Sequence, residues 1–331
     1  MTWARTARVA AVGLALLLAG AGAARTQTPV TIDEDAWLRW LAEFRAEALS
    51  IGFPPAVVDE ALDGIRPVVR VIELDRKQPE FTLTVNEYFD RIIPDFRVHR
   101  ARDRYAEHRD LLDRIAAESG VSAGIIVSLW GIETDFGRLT GGFKAIPALA
   151  TLAFDGRRSA YFRRELFGAL QIAFEGHKLP AEMSSSWAGA MGQIQLMPTS
   201  FLAYAVDDDG DGRRDVWTNP RDVFATAANF LATEGWRPGE PWGYEVSLPQ
   251  DFGHDLGGLG TRMPGAEWAA RGVRRSDGGA LPDLPASILI PDDVSGRAFI
   301  VFENFRNILK WNRANYFALA VGLLADRIED R

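Results

Sequence analysis

Apolar positions recur at helical intervals through most of the chain. In DEDAWLRWLAEFRAEALSIG, Trp37, Leu41, Phe44 and Ala48 fall on one face, which predicts an amphipathic helix stopped by Gly52. FPPAVVDEALDGI predicts a short helix with Pro54 and Pro55 at its start. NEYFDRII and VHRARDRYAEHRDLLDRIAAESG continue the pattern as far as Ser119-Gly120. SAYFRRELFGALQIAFEG turns Phe162, Leu166, Ala169, Leu170 and Ala173 inward, and NPRDVFATAANFLATEGW predicts a helix opened by Asn219-Pro220. From Arg237 to about Pro291 the chain is rich in Gly and Pro, with short apolar runs such as YEVSL and SILI. That change predicts a small irregular or β-containing subdomain. Helical periodicity returns in SGRAFIVFENFRNILKW and ANYFALAVGLLADRI. The expected fold class is mainly α, of α+β type. The segments are an N-terminal helical region over 25–108, a helical core over 109–236, the β-containing subdomain over 237–294 and C-terminal helices over 295–331.

The first 24 residues read differently. MTWARTAR is basic, VAAVGLALLLAGAG is apolar but short for a membrane span, and AGAA supplies small residues suited to cleavage. This predicts a secretory signal peptide cut near Ala23 or Ala24. The chain has no cysteine, which excludes disulfides and a lipidated signal-peptide cysteine. The expected product is exported, soluble and periplasmic, not an integral membrane protein. A net charge of −8 argues against a nucleic-acid partner, because phosphates need a basic face. The four histidines, His99, His108, His177 and His254, show no zinc spacing.

One carboxylate stands out. VSAGIIVSLWGIETDFG predicts a helix capped by Ser122 and stopped near Gly137. Ile126, Leu129, Trp130 and Glu133 follow steps of three, one and three, so Glu133 lies on the apolar stripe. A buried carboxylate is costly unless paired, and desolvation favours its protonated form. Two readings stay open here: a general acid, or a rim carboxylate held by a partner such as Arg138.

Two further stretches carry chemistry. In VDDDGDGRRDVWTNPRD, Asp207, Asp209 and Asp211 occupy positions 1, 3 and 5 of an EF-hand-like loop, with Gly212 at position 6 and the Arg213 carbonyl at position 7. Position 12 is Thr218 rather than Glu, so Asp215 or Asp222 would complete the shell. Five Asp in nine residues call for a hard cation, and a structural Ca2+ is expected, with none required for the chemistry. SSSWAGAMGQIQLMPTSF is rich in small residues that permit close backbone approach. Its Gln195 sits among apolar residues, either bonded to a sugar or bonded to backbone.

The segments GIETDFG, ALATLAFD, SSWAGAMGQIQLMPTSF, YAVDDDGDG and ENFRNILKWNRANYFALAVGLLADRI occur in one order over nearly all of the mature chain. In that order they resemble the B-type lytic murein transglycosylases. The resemblance implies a lysozyme-like catalytic core with Glu133 as the single acid/base. It implies that Ser186 stands near that carboxylate, that Gln195 contacts saccharide, and that Asp207, Asp209, Asp211, Arg213 and Asp222 hold calcium. Trp311 and Asn312 fall on a Tyr-Asn pair beside the active site, and Trp311 lacks the phenolic hydroxyl. The implied partner is the glycan strand of peptidoglycan. The implied reaction cuts between N-acetylmuramic acid and N-acetylglucosamine and leaves a 1,6-anhydro ring. Asp135, the only acid close in sequence, is two residues away and on a helix would point elsewhere. The rival readings are a hydrolytic muramidase of the same fold and a non-catalytic, calcium-dependent wall binder.

Overall fold

The structure is a computed structural model that describes residues 30–77, 83–292 and 296–330. The signal peptide expected over 1–24 lies outside these residues. Helix α1 (Glu34–Ser50) buries Trp37, Phe44 and Ala48, and its N-cap Asp33 accepts from Ala36 N at 2.9 Å. Helix α2 (Pro55–Leu62) begins on proline, whose missing N–H no helix would use there. Helix α3 (Val69–Arg76) falls within the helical region expected over 25–108, with no apolar face of its own to mark it. Its buried face is only Val71, Ile72 and Asp75, too short to show a period, and Asp75 is held by Arg157 and Arg158. Helix α4 (Val85–Ile92) opens with a capping box from Thr84 and Glu87.

The stretch VHRARDRYAEHRDLLDRIAAESG belongs to two helices, α5 (Asp95–Glu107) and α6 (Arg109–Ser119), broken at His108. Apolar spacing gives no sign of the break because it is helical on both sides. Helix α7 (Ala123–Thr134) follows, with Ser122 Oγ accepting from Ile125 N at 3.4 Å. Then come β1 (Phe143–Lys144), α8 (Ala145–Asp155), α9 (Ser159–Phe174), β2 (Ser184–Ser185), α10 (Pro198–Tyr204) and α11 (Pro220–Thr233). The subdomain supplies β3 (Gly243–Ser247), β4 (Met263–Pro264), α12 (Gly265–Ala270), β5 (Arg274–Arg275) and β6 (Pro285–Leu289). The helical reading of RAFIVFENFRNILKW is corrected in its first part: Ala298–Val301 is strand β7, and helix α13 runs only over Glu303–Trp311. All four β7 residues are buried, and a fully buried strand shows no alternation to separate it from a helix turn. Helix α14 (Asn315–Glu329) ends the fold.

The described residues form two compact units. One holds 83–132 and 227–330. Its sheet has the order β4-β6-β7-β3-β5 with antiparallel neighbours, and Tyr244 pairs with Ile300 in register. Trp268, Val273, Ile288, Ile300 and Phe302 make its core. Gly322 of α14 leaves room for the Trp242 ring, whose Nε1 donates to Asp326 at 3.0 Å.

The other unit holds 30–77 and 133–226. Phe44 of α1 meets Phe167 of α9 at 4.6 Å, and Trp37 meets Phe154 of α8 edge-on at 5.5 Å. Gly168 admits α10, since a Cβ there would lie 3.0 Å from Pro198 Cβ. Glu165 reaches the same helix start and accepts from Thr199 N at 3.0 Å and Thr199 Oγ1 at 2.8 Å. Strands β1 and β2 pair antiparallel, Phe143 opposite Ser185 and Lys144 opposite Ser184. Among the described residues no single helix is long and apolar enough to cross a membrane.

Candidate active site

Glu133 sits in the last turn of α7, only 7% exposed. The helix stops one residue later. Asp135, Phe136 and Gly137 all adopt left-handed backbone, with φ of 51°, 61° and 79°. For two non-glycine residues in succession this is strained, and such strain persists only where the surroundings hold it. The turn has a second consequence. Asp135 is not on the helix, as its sequence position suggested, but in the strained turn. There it pairs with Arg138 at 3.0 Å. Arg138, offered as a partner for Glu133, is engaged by Asp135.

The turn is locked to the small-residue segment. Thr134 Oγ1 donates to Gln193 O at 2.5 Å and accepts from Gly137 N at 3.0 Å. Gln193 is anchored in turn, its N donating to Val216 O at 2.8 Å and its Nε2 to Trp217 O at 3.0 Å. Ser186 follows β2 in a tight turn. Its N donates to Ala190 O at 2.8 Å, and its Oγ accepts from Ala190 N at 3.2 Å. Gln195 has φ 51°, and its Nε2 donates to Thr140 O at 3.2 Å and Gly192 O at 3.0 Å. Its amide nitrogen thus takes the backbone-bonded role, while the side chain stays half-buried. Glu133, Ser186 and Gln195 belong to one compact unit. Trp311 and Asn312 belong to the other. There the Trp311 ring meets Phe230 at 4.8 Å, and Asn312 Oδ1 accepts from Ala314 N at 3.0 Å.

The acidic loop brings its carboxylates together. Oxygens of Asp207, Asp209 and Asp211 lie within 4.8 Å of one another. Gly210 and Gly212 turn through left-handed backbone, with φ of 74° and 90°. Burial works to raise the Asp207 carboxyl, but N–H groups of Gly212, Gly210 and Asp211 outweigh it and hold it below the usual range. Asp222 is fully buried and binds the loop from inside, accepting from Asp208 N at 2.8 Å and Asp215 N at 2.7 Å. Burial pushes its carboxyl up against those donors, and Asp209 and Asp207 push the same way. Three convergent carboxylates on a glycine-turned loop fit a hard, oxygen-seeking cation. The meeting of Thr134 with Gln193 is not legible in local sequence. Its one available signal was a Thr directly after the buried Glu.

Residues 36–326 match the profile of the transglycosylase SLT domain. The chain belongs to that family. It is a family of enzymes. A relative in Escherichia coli (strain K12), membrane-bound lytic murein transglycosylase B, is 33% identical over 235 residues, 67% of this chain. The alignment spans 61% of that relative. SltB3 from Pseudomonas aeruginosa, solved in complex with NAG-anhNAM-pentapeptide, superposes with a TM-score of 0.86 at 42% identity. The match covers 88% of this chain and 79% of SltB3. The E. coli lytic transglycosylase Slt35, solved in complex with calcium, gives a TM-score of 0.75 at 29% identity, covering 88% of this chain and 92% of Slt35. The helical core with its small antiparallel sheet is therefore the lysozyme-like lytic transglycosylase fold.

Proposed function

We propose that this protein is a lytic transglycosylase. It cuts peptidoglycan glycan strands between N-acetylmuramic acid and N-acetylglucosamine, with Glu133 acting first as acid and then as base. The observation that carries the reading is Glu133 itself, buried at the end of α7, with its nearest acid in sequence, Asp135, committed to Arg138. Protonated Glu133 gives its proton to the glycosidic oxygen as the C1–O bond breaks, and the N-acetylglucosamine end leaves as an alcohol. A two-carboxylate glycosidase would use a second acid at C1. In its place the substrate's 2-acetamido oxygen stabilises the cationic carbon. Ionised Glu133 then takes the proton of the muramyl 6-hydroxyl, whose oxygen bonds to C1 and closes a 1,6-anhydro ring. No water enters. The complex of SltB3 with NAG-anhNAM-pentapeptide supports this outcome.

Ser186 and Gln195 line the saccharide in this reading, with Trp311 and Asn312 as further contacts. Asp207, Asp209, Asp211, the Arg213 carbonyl and Asp222 hold a structural Ca2+, which supplies positive charge to the loop and takes no part in bond making. The Slt35 calcium complex supports that assignment. The basic and apolar residues 1–24 support export to the periplasm.

The test is mass analysis of fragments released from purified peptidoglycan. Wild type is expected to release anhydro fragments, one water lighter than hydrolytic ones. Glu133→Gln, similar in size but unable to give or take the proton, is expected to lose at least about a hundredfold in rate. Fragments at the hydrated mass would make the protein a muramidase. Full activity in Glu133→Gln would remove the catalytic assignment.

A further inference from the structure

We infer that Thr134 and Gln193 are positioning residues for Glu133, forming a clamp that fixes the end of α7 from outside the helix. The inference rests on the reading of Glu133 as the catalytic acid. A helix terminus frays because its last carbonyls have no intrahelical partners, and Glu133 is the next-to-last residue of α7. An acid held this loosely would donate poorly, since general-acid catalysis needs the carboxyl within hydrogen-bond reach of one oxygen.

The chain supplies the missing restraint from far away. Thr134 is 1% exposed, and its hydroxyl joins the helix end to Gln193 O and to Gly137 N. Thr134 O also accepts from Leu139 N at 2.9 Å, which closes the turn over the same residue. Gln193 cannot drift, because its N and Nε2 hold the carbonyls of Val216 and Trp217. Those residues are fixed independently. Trp217 N donates to Asp215 Oδ1 at 2.9 Å, and the Trp217 indole N–H donates to Ser184 O at 3.0 Å, two residues before Ser186. Gly137 completes the fit, since a Cβ there would overlap the Gln193 side-chain amide. The left-handed pair Asp135 and Phe136 would relax if released, so the clamp bears their strain as well. Displacing an acid by about 1 Å costs on the order of a hundredfold in rate. A hydroxyl one residue from the acid is well placed to prevent that.

The experiment compares wild type, Thr134→Val and Thr134→Ser on soluble glycan strands prepared from purified peptidoglycan, with amide hydrogen exchange on the same samples. Valine keeps the shape and removes the hydroxyl, and serine restores it. Thr134→Val is expected to stay folded, to keep KM within about twofold and to lose roughly 10- to 100-fold in kcat. Thr134→Ser is expected to recover most of that loss. Exchange at Gly137 and Leu139 should be faster in the valine variant and close to wild type in the serine variant. Should Thr134→Val fail to fold, Gln193→Met, which removes the side-chain amide that bonds Trp217 O, is read by its kcat and by exchange at Gly137 and Leu139. Unchanged kcat with unchanged exchange overturns the clamp, as does a serine variant as poor as the valine one. An inactive wild type would instead overturn the glycan-cleaving reading, while exchange at Gly137 would still decide whether the clamp exists.

Discussion

Gly141 and Gly142 are adjacent, both exposed, and sit just before β1. Replacing each by alanine should have opposite results. Gly141 has φ 104°, and a Cβ there would overlap the Ser185 carbonyl and lie 2.6 Å from Ser186 N. These are backbone atoms of β2 and of the turn after it, so no side chain can swing aside. Left-handed backbone costs an L-residue roughly 1–2 kcal/mol. Overpacking adds about 1–3 kcal/mol. The total, about 2–5 kcal/mol, is a large part of the roughly 5–15 kcal/mol that holds a domain folded. At about 2–4 °C per kcal/mol the melting temperature should fall by about 4–20 °C. At Gly142 nothing lies within 4 Å of the added carbon, and the change should stay within about 0.5 kcal/mol. Thermal melts followed by circular dichroism, with turnover measured well below the transition, make the comparison. Because the Gly141 contact bears on the Ser185–Ser186 peptide, Gly141→Ala should also lose roughly tenfold or more in rate while folded. A Gly141→Ala protein that melts with wild type and turns over at the same rate would refute the reasoning.

Glu165 of α9 is buried against the start of α10, and burial pushes its carboxyl above the ordinary value against the hydrogen bonds from Thr199. Its folded state therefore holds the proton more tightly than the unfolded chain. Stability should fall as pH rises from the ordinary carboxylate range through that raised value. Glu165→Gln should flatten this limb in urea melts taken across pH, and parallel curves for the two proteins would contradict the assignment. Chelation should lower the melting temperature, since a ligand at a hundred times its Kd stabilises by about 2.7 kcal/mol. Turnover by the still folded protein should be little changed, because Asp222, Arg221 and Asn219 hold the loop with protein groups; loss of activity with the fold intact would tie the loop to the chemistry. Asp135→Asn keeps the side-chain shape but weakens the bond of a buried group to Arg138, and should cost about 1–3 kcal/mol. Its rate should stay within a few fold of wild type, and an inactive Asp135→Asn beside an active Glu133→Gln would exchange the roles of the two acids.

The sequence by itself determined which segments are helices wherever an apolar face repeats over three or more turns, as in α1, α9 and α14. It also determined the acidic loop and the family resemblance, because both are written in consecutive residues: alternate aspartates with a glycine turn, and long motifs in a fixed order. These features depend on spacing along the chain, and spacing is visible in a string. Only the tertiary structure decided that Ala298–Val301 is a strand, since four consecutive buried residues fit either state until β3 and β6 are seen on both sides. Only the structure put Asp135 in a left-handed turn, separated Gly141 from Gly142, and made Thr134 a hub. The last two depend on partners 44 and 59 residues away: Ser185 for Gly141, Gln193 for Thr134. Hydrogen bonds and steric limits act over a few ångströms of space, and the chain distance between the groups leaves no trace in local composition.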